Sequence, residues 1–95
     1  MDSDYKKIPL DKIKHCHEGV RELTVDAGIK QLATSIKDMG LMQPIIIYLN
    51  SKTNFYCVLS GHRRLVAYGY LNEKFPDDEY GKIFSHIIPE PEKKF

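Results

Sequence analysis

The residues best suited to chemistry form one short run, Gly61-His62-Arg63-Arg64, which directly follows an apolar segment. The segment 55–59 is typical of a buried strand, and the residues after the run return to apolar positions at helical spacing. A strand that ends at a glycine and leads into a helix brings free backbone N–H groups and the positive end of the helix dipole to one point. We therefore predict an anion-binding site at the start of this helix.

The two arginines at the helix start strengthen that prediction. A cation near a helix N-terminus opposes the macrodipole by roughly 0.3 to 1 kcal/mol, so Arg63 and Arg64 are unfavourable there unless a bound anion offsets them. The guanidinium group also matches phosphate, because its N–H groups can donate in pairs to two oxygens. The alternative is that both are solvated surface arginines, and the local sequence leaves it open.

The first half of the chain predicts part of the frame that holds this site. The segment 5–10 is typical of a strand, with Pro9 at an edge or a strand end. Asp26 is the expected N-cap of a helix that ends at a left-handed Gly40. The apolar residues of this helix recur on one stripe, which consists of Ile29, Leu32, Ala33, Ile36 and Met39. We predict that the stripe packs on the next strand, with Leu32 and Ile36 as core residues that have no ligand role.

The second half predicts a β-hairpin, the helix of the candidate site and a last strand. The β-branched run 44–49 and the segment 55–59 flank turn residues at 50–54. The helix after Gly61 turns Leu65, Tyr68 and Leu71 inward. The stretch 73–81 is typical of a loop, and 83–88 is typical of a strand.

Length and composition limit what the chain can be. Its 95 residues suit one domain at 1–95, with a folded core at about 5–90 and a boundary or linker at 89–95. A net charge of +1 argues against a uniformly basic surface for nucleic acid. No apolar run approaches the roughly 18 residues of a membrane span, and the acidic start is unlike a signal peptide, so we expect a cytoplasmic protein that does not bind membranes.

The cysteines and the clusters of candidate metal ligands do not predict a disulfide framework or a metal site. Cys16 and Cys57 are too few for a disulfide framework and are expected to stay thiols, with Cys57 in the core. His15-Cys16-His17 lacks a second paired motif that could complete a zinc site. Asp77-Asp78-Glu79 is typical of a solvated acidic run in a loop. We predict no metal site at either.

Four blocks of the sequence resemble, in order and spacing, the N-terminal domain of ParB proteins in the ParB/sulfiredoxin superfamily. The blocks are Arg21-Glu22, Gln31-Leu32-Ala33-Thr34-Ser35-Ile36, Gly40-Leu41-Met42-Gln43-Pro44-Ile45 and Gly61-His62-Arg63-Arg64-Leu65-Val66-Ala67. The resemblance extends over 8–88, nearly the whole chain. It implies an α+β fold, with a small mixed sheet and packed helices.

The resemblance also implies which residues bind a ligand. ParB proteins bind the phosphates of CTP with a glycine-glutamate-arginine-arginine block and an upstream arginine. By this resemblance, phosphate or nucleotide binding falls to Gly61, His62, Arg63, Arg64, Arg21, Gln43 and Pro44. Ser35 and Ile36 are expected to support that pocket.

His62 is the departure from the family pattern, because it replaces the glutamate of that block. The change removes a carboxylate that could hold magnesium and supplies a ring that can donate to phosphate or titrate near neutrality. The alternative is a solvent-exposed residue at the helix start. Sulfiredoxins have their catalytic cysteine at this position, and neither Cys16 nor Cys57 can substitute, so sulfinic acid reductase chemistry is not expected.

The function implied by the resemblance is a nucleotide-binding module whose cofactor is a nucleoside triphosphate, CTP or ATP. It would gate contact with DNA or a partner protein in chromosome or plasmid segregation or in gene regulation. Whether Mg²⁺ accompanies the nucleotide and whether the chain forms a homodimer stay open. In that family DNA recognition comes from a later helical segment, so DNA is expected as a partner only with further domains. The chain is then either a free-standing module that has lost DNA recognition or an excerpt of a longer protein, and we favour the excerpt.

The alternative function is an enzyme of the same superfamily, an NTP hydrolase or phosphotransferase rather than a nuclease. Phosphoryl transfer needs a carboxylate that binds metal or activates the attacking group. The candidate catalytic residues are Glu22 and His62, and Glu18 and Asp26 are weaker choices. A third class is an interaction module that adds a partner strand at the edge formed by 8–10.

Overall fold

A computed structural model describes residues 4–16 and 24–92 of the chain. Within these residues the chain forms a five-stranded mixed sheet and two α-helices, which is the predicted α+β architecture. In chain order the elements are β1 Asp4–Pro9, β2 Ile13–Lys14, α1 Ala27–Met39, β3 Ile45–Leu49, β4 Tyr56–Ser60, α2 His62–Lys74 and β5 Lys82–Ile88. Neither of these helices has both the length and the apolar character to cross a membrane.

The strand order in the sheet is β1-β5-β3-β4-β2. The pairs β1/β5 and β3/β4 are antiparallel, whereas β3/β5 and β2/β4 are parallel. The predicted hairpin is confirmed, with Ile47 opposite Val58. Pro9 ends β1 at an edge of the sheet, as predicted. Strand β2 was not predicted, because it has only two residues and follows a single 3₁₀ turn, Leu10–Lys12.

Helix α1 has the predicted caps. The Asp26 carboxylate accepts a hydrogen bond from the Ile29 N–H at 2.8 Å, and Gly40 ends the helix with a φ of +83° while its N–H donates to the Ile36 carbonyl at 2.7 Å. The ψ of Gly40 is 173°, which is extended rather than left-handed helical. Along the predicted stripe Leu32 is half-buried, and Met39 is 65% exposed and lies outside the core.

Two clusters of buried residues place α2 between the sheet and α1. The first cluster joins the sheet to α2 and contains Ile8, Ile13, Ile45, Ile47, Val58, Leu65 and Ile83. The second joins the helices and contains Ile29, Ala33, Ile36, Ala67 and Leu71. The expectation that the α1 stripe packs on strand β3 is therefore wrong, because α1 packs mainly on α2.

The expectation that both cysteines stay thiols is also wrong, because Cys16 and Cys57 form a disulfide with their Cα atoms 5.4 Å apart. Strand β2 pairs in parallel with β4 so that Lys14 lies opposite Cys57. Cys16 follows two residues after Lys14 and is therefore close enough to bond to Cys57. Cys57 is fully buried, as predicted, but as half of a cross-link that fixes the end of β2 to the sheet.

We expect reduction of this disulfide to lower the free energy of unfolding by about 2 to 4 kcal/mol, because the bond closes a loop that spans a sequence separation of 41 residues. The measurement is urea unfolding with and without a thiol reductant. Cys16→Ser is the matched control, since Cys16 is exposed and its replacement removes the bond with little loss of packing. The variant should have the same free energy of unfolding as the reduced wild type, and the reductant should not change it. A wild type that ignores the reductant would contradict the cross-link.

Candidate phosphate-binding site

The candidate site is the corner where β4 ends at Ser60, Gly61 turns the chain and α2 begins at His62. Gly61 has φ +100° and ψ 26°, a left-handed conformation that residues with a Cβ avoid. A Cβ at this position would lie 2.6 Å from Cγ2 of Ile45, which is fully buried. The corner therefore requires glycine, and the absence of a side chain opens the backbone at the helix start.

Among residues 4–16 and 24–92, no side chain is seen to cap the N-terminus of α2. Its N-cap is Gly61, which offers no side-chain hydrogen bond, and its first turn contains no acidic residue. Helix α1 is the opposite case, because the Asp26 carboxylate caps it. The first N–H groups of any helix lack an intrahelical partner, and in α2 the N-cap residue supplies no side-chain acceptor for them, which is the arrangement found at anion-binding helix starts.

A cleft of about 400 Å³ opens at this helix start and is lined by Leu32, Gly61, His62, Arg63 and Arg64. A second cleft, of about 210 Å³, adjoins it and shares Leu32 and Arg64. Ser35, Ile36 and Gln43 help to line the second cleft. Leu32 is therefore a wall of both clefts rather than a core residue, which corrects the expectation for this side chain.

Arg64 is tied down by the loop that precedes β3. Its Nη1 donates to the Pro44 carbonyl at 3.1 Å, and its Nη2 donates to Oε1 of Gln43 at 3.2 Å. The three residues that the sequence assigned to one pocket are thus in contact. Through these contacts Arg64 holds the 43–44 loop against the start of α2.

Arg63 is exposed and extends towards the first turn of α1. A Cβ at Gly28 would lie 2.6 Å from Nη2 of Arg63 and 3.5 Å from Oδ1 of Asp26. Gly28 therefore leaves room for the Arg63 guanidinium beside the cap of α1. Gly28 was not predicted from the sequence, although a small residue in the first turn of a helix is a weak signal of a close approach.

His62 pairs with His15, which had been considered from the sequence only as part of an incomplete zinc motif. Their Nδ1 atoms are 2.9 Å apart, and the ring centroids are 5.1 Å apart at an interplanar angle of 27°. Burial of the His15 ring lowers its pKa below the ordinary histidine value. No local pattern could reveal this contact, because the two residues are 47 positions apart.

A search of protein-family models matches residues 2–76 to the ParB N-terminal domain. The chain belongs to the ParB N-terminal domain family. The probable chromosome-partitioning protein ParB of Campylobacter jejuni is 36% identical over 67 residues. That match covers 70% of this chain and 23% of the relative, so this ParB N-terminal domain corresponds to about a quarter of that protein.

Two solved structures share the fold of this ParB N-terminal domain. One is the C-terminally truncated chromosome-partitioning protein ParB from Caulobacter crescentus complexed with CTP-γ-S, with a TM-score of 0.70 and 17% identity over 94% of this chain and 46% of the other. The second is sulfiredoxin from Arabidopsis thaliana, with a TM-score of 0.67 and 24% identity over 92% of this chain and 86% of the other. At these identities the similarity shows that the three proteins share an α+β fold.

Six of the seven predicted ligand residues of the ParB N-terminal domain lie together around the start of α2: Gly61, His62, Arg63, Arg64, Gln43 and Pro44. Arg21 lies outside the described residues, as do the candidate catalytic Glu22, the weaker candidate Glu18 and His17 of the first metal cluster. Within the described ranges no group of three or more His, Cys, Asp or Glu side chains is arranged to hold a metal ion. In the acidic run, exposed Glu79 forms an ion pair with Lys7 at 3.8 Å.

Proposed function

We propose that this ParB N-terminal domain binds a nucleoside triphosphate by its phosphate groups at the N-terminus of α2. The observation that carries the proposal is the start of α2 at a glycine N-cap, in a cleft lined by Gly61, Arg63 and Arg64. The N–H groups of the first turn and the helix dipole would meet the phosphate oxygens, and the guanidinium groups would neutralise their charge. CTP is the first choice of nucleotide, because the Caulobacter crescentus ParB structure is a complex with CTP-γ-S.

The two arginines differ in their proposed roles. Arg63 is exposed and would reach the phosphates directly, whereas Arg64 is half-buried and already donates to the 43–44 loop. Arg64 would therefore contribute charge and also fix the wall of the adjoining cleft. Arg21 is proposed as a further phosphate ligand on the family resemblance alone.

The bound nucleotide is proposed to gate contact with DNA or a partner protein in chromosome or plasmid segregation. The curated Campylobacter jejuni relative is a probable chromosome-partitioning protein, and the chain corresponds to 23% of it. DNA binding by residues 1–95 alone is expected to be weak, because the net charge is +1 and phosphate neutralisation supplies most of such affinity. DNA recognition would then need further domains.

Arg63→Ala is expected to weaken binding of CTP by roughly tenfold to hundredfold, because loss of a charge-assisted hydrogen bond costs about 1.5 to 3 kcal/mol. The measurement is calorimetric titration with CTP, ATP, GTP and ADP, each with and without Mg²⁺. Lys52→Ala is the matched control, since Lys52 is an exposed cation in the β3–β4 turn, at the far end of β4 from α2. An Arg63→Ala variant with wild-type affinity would contradict the site.

The same titrations separate binding from turnover. Product analysis after incubation with each nucleotide would detect an NTP hydrolase, and addition of a hydroxyl acceptor would detect a phosphotransferase. We expect binding, with CTP preferred. Release of phosphate at a rate that Glu22→Gln abolishes would instead favour the enzyme.

A further inference from the structure

The contact between His15 and His62 requires a particular arrangement of protons on the two rings. Two imidazole Nδ1 atoms 2.9 Å apart form a hydrogen bond only when one of them carries a hydrogen and the other offers its lone pair. In the neutral pair one ring is therefore the Nδ1–H tautomer and its partner is the Nε2–H tautomer. The contact thus couples the proton states of two rings at the start of α2.

One added proton strengthens the pair, and a second breaks it. An imidazolium that donates its Nδ1–H to a neutral Nδ1 makes a charge-assisted hydrogen bond, which is about twice as strong as a neutral one. With both rings protonated, two N–H groups would face each other and two positive charges would repel. The pair therefore takes up one proton readily and the next only at much lower pH, as coupled groups do.

The charged groups around the pair decide when the first proton binds. From α2 the cations Arg63 and Arg64 follow His62, and from β2 the cation Lys14 precedes His15, with its Nζ 4.1 Å from the Phe55 ring centroid. From α1 the carboxylate of Asp26 lies near Nη2 of Arg63, across Gly28. Cations outnumber acids among these described neighbours, so they oppose the first proton, and an anion at the start of α2 would offset that opposition.

We propose that His15 and His62 form a proton-sharing pair that makes the binding of a phosphate-bearing ligand at the start of α2 take up one proton. This inference rests on the proposed function of the site, and it adds His15 to that site. The anion attracts the positive charge of the pair, and the charged pair in turn holds the anion more tightly. By linkage the two effects are equal.

The sign of the pH dependence follows from that linkage. The pKa of the pair rises when the anion binds, so the affinity is greatest below the free-state pKa and falls as the pH rises through the bound-state pKa. Burial keeps the pKa of His15 below the ordinary histidine value in the free protein. The affinity should therefore rise about tenfold as the pH falls from about 8 to about 6, around the ordinary histidine pKa of about 6.5.

The first test measures the pH dependence with sulfate, which stays dianionic over this range, followed by amide NMR of the whole chain. The wild type should gain about tenfold in affinity between pH 8 and pH 6. His15→Gln and His62→Gln should each flatten the profile, because an amide cannot take up the proton. His86→Gln is the matched control, since this histidine stacks on Tyr5 in the β1–β5 pair, and it should keep the wild-type profile.

The second test measures the proton directly. Titration of CTP into the protein at pH 7, in buffers of different ionisation enthalpy, should show about half a proton more taken up by the wild type than by His15→Gln, which is the uptake that a tenfold change over two pH units requires. Binding with equal proton uptake in both would overturn the inference and leave the proposed function standing. Failure of both sulfate and CTP to bind the wild type would overturn both. The Cε1–H resonances of His15 and His62 in the free wild type should titrate in two separated steps, and two independent single-step titrations would also overturn the pair.

Discussion

Replacing Gly61 with alanine is expected to lower the free energy of unfolding by about 2 to 5 kcal/mol. The left-handed backbone at φ +100° disfavours any residue with a Cβ by about 1 to 2 kcal/mol. The new Cβ would also lie 2.6 Å from Cγ2 of Ile45, a fully buried side chain with little room to move, and overpacking of this kind costs about 1 to 3 kcal/mol. Urea unfolding measures the combined loss in the free energy of unfolding.

Gly69→Ala is the matched control, because Gly69 lies in the interior of α2, the helix that Gly61 precedes. A Cβ at Gly69 meets nothing within 4 Å, and alanine is favoured over glycine in a helix interior by roughly 0.5 to 1 kcal/mol. The control should therefore be slightly more stable than the wild type. A Gly61→Ala variant as stable as Gly69→Ala would mean that the corner between β4 and α2 is wrong.

Ile29→Ala is expected to lower the free energy of unfolding by about 2 to 5 kcal/mol, because Ile29 is fully buried between the two helices. Met39→Ala is the matched control from the predicted stripe of the same helix. Met39 is 65% exposed, so its replacement should change the stability by no more than about 0.5 kcal/mol. Equal losses in the two variants would show that the whole stripe of α1 is buried and that the layer order is wrong.

The elements with strong local signals could be predicted from the sequence. The β-branched run 44–49, the apolar segment 55–59 and the turn between them predicted the hairpin, and Asp26 and Gly40 predicted the ends of α1. The partner of α1 could not be predicted in this way. An amphipathic stripe indicates which face of a helix is buried, but it does not indicate whether a sheet or another helix covers that face.

The residues of the site also differ in how far the sequence alone could predict their roles. The Gly61 corner and the two arginines are contiguous in sequence, so their chemistry was readable there. The roles of Arg64 and His15 depend on partners 20 and 47 residues away, and only the fold brings those partners together. The disulfide was missed for a related reason, because the two-residue strand β2, which places Lys14 opposite Cys57 and leads to Cys16, has no pattern of its own.

The measurement that tests the phosphate site most directly is amide NMR of the whole chain during titration with inorganic tripolyphosphate. Tripolyphosphate supplies the phosphates without a base, so it reports on the start of α2 alone. The largest shifts should fall on the backbone N–H groups of His62, Arg63 and Arg64, with a smaller change at Gly61. The cleft of about 450 Å³ lined by Lys7, Asp78, Glu79, Gly81 and Lys82 is the internal comparison, and it should stay unchanged. Shifts confined to that cleft, or no shift in the first turn of α2 at saturating ligand, would contradict the phosphate site.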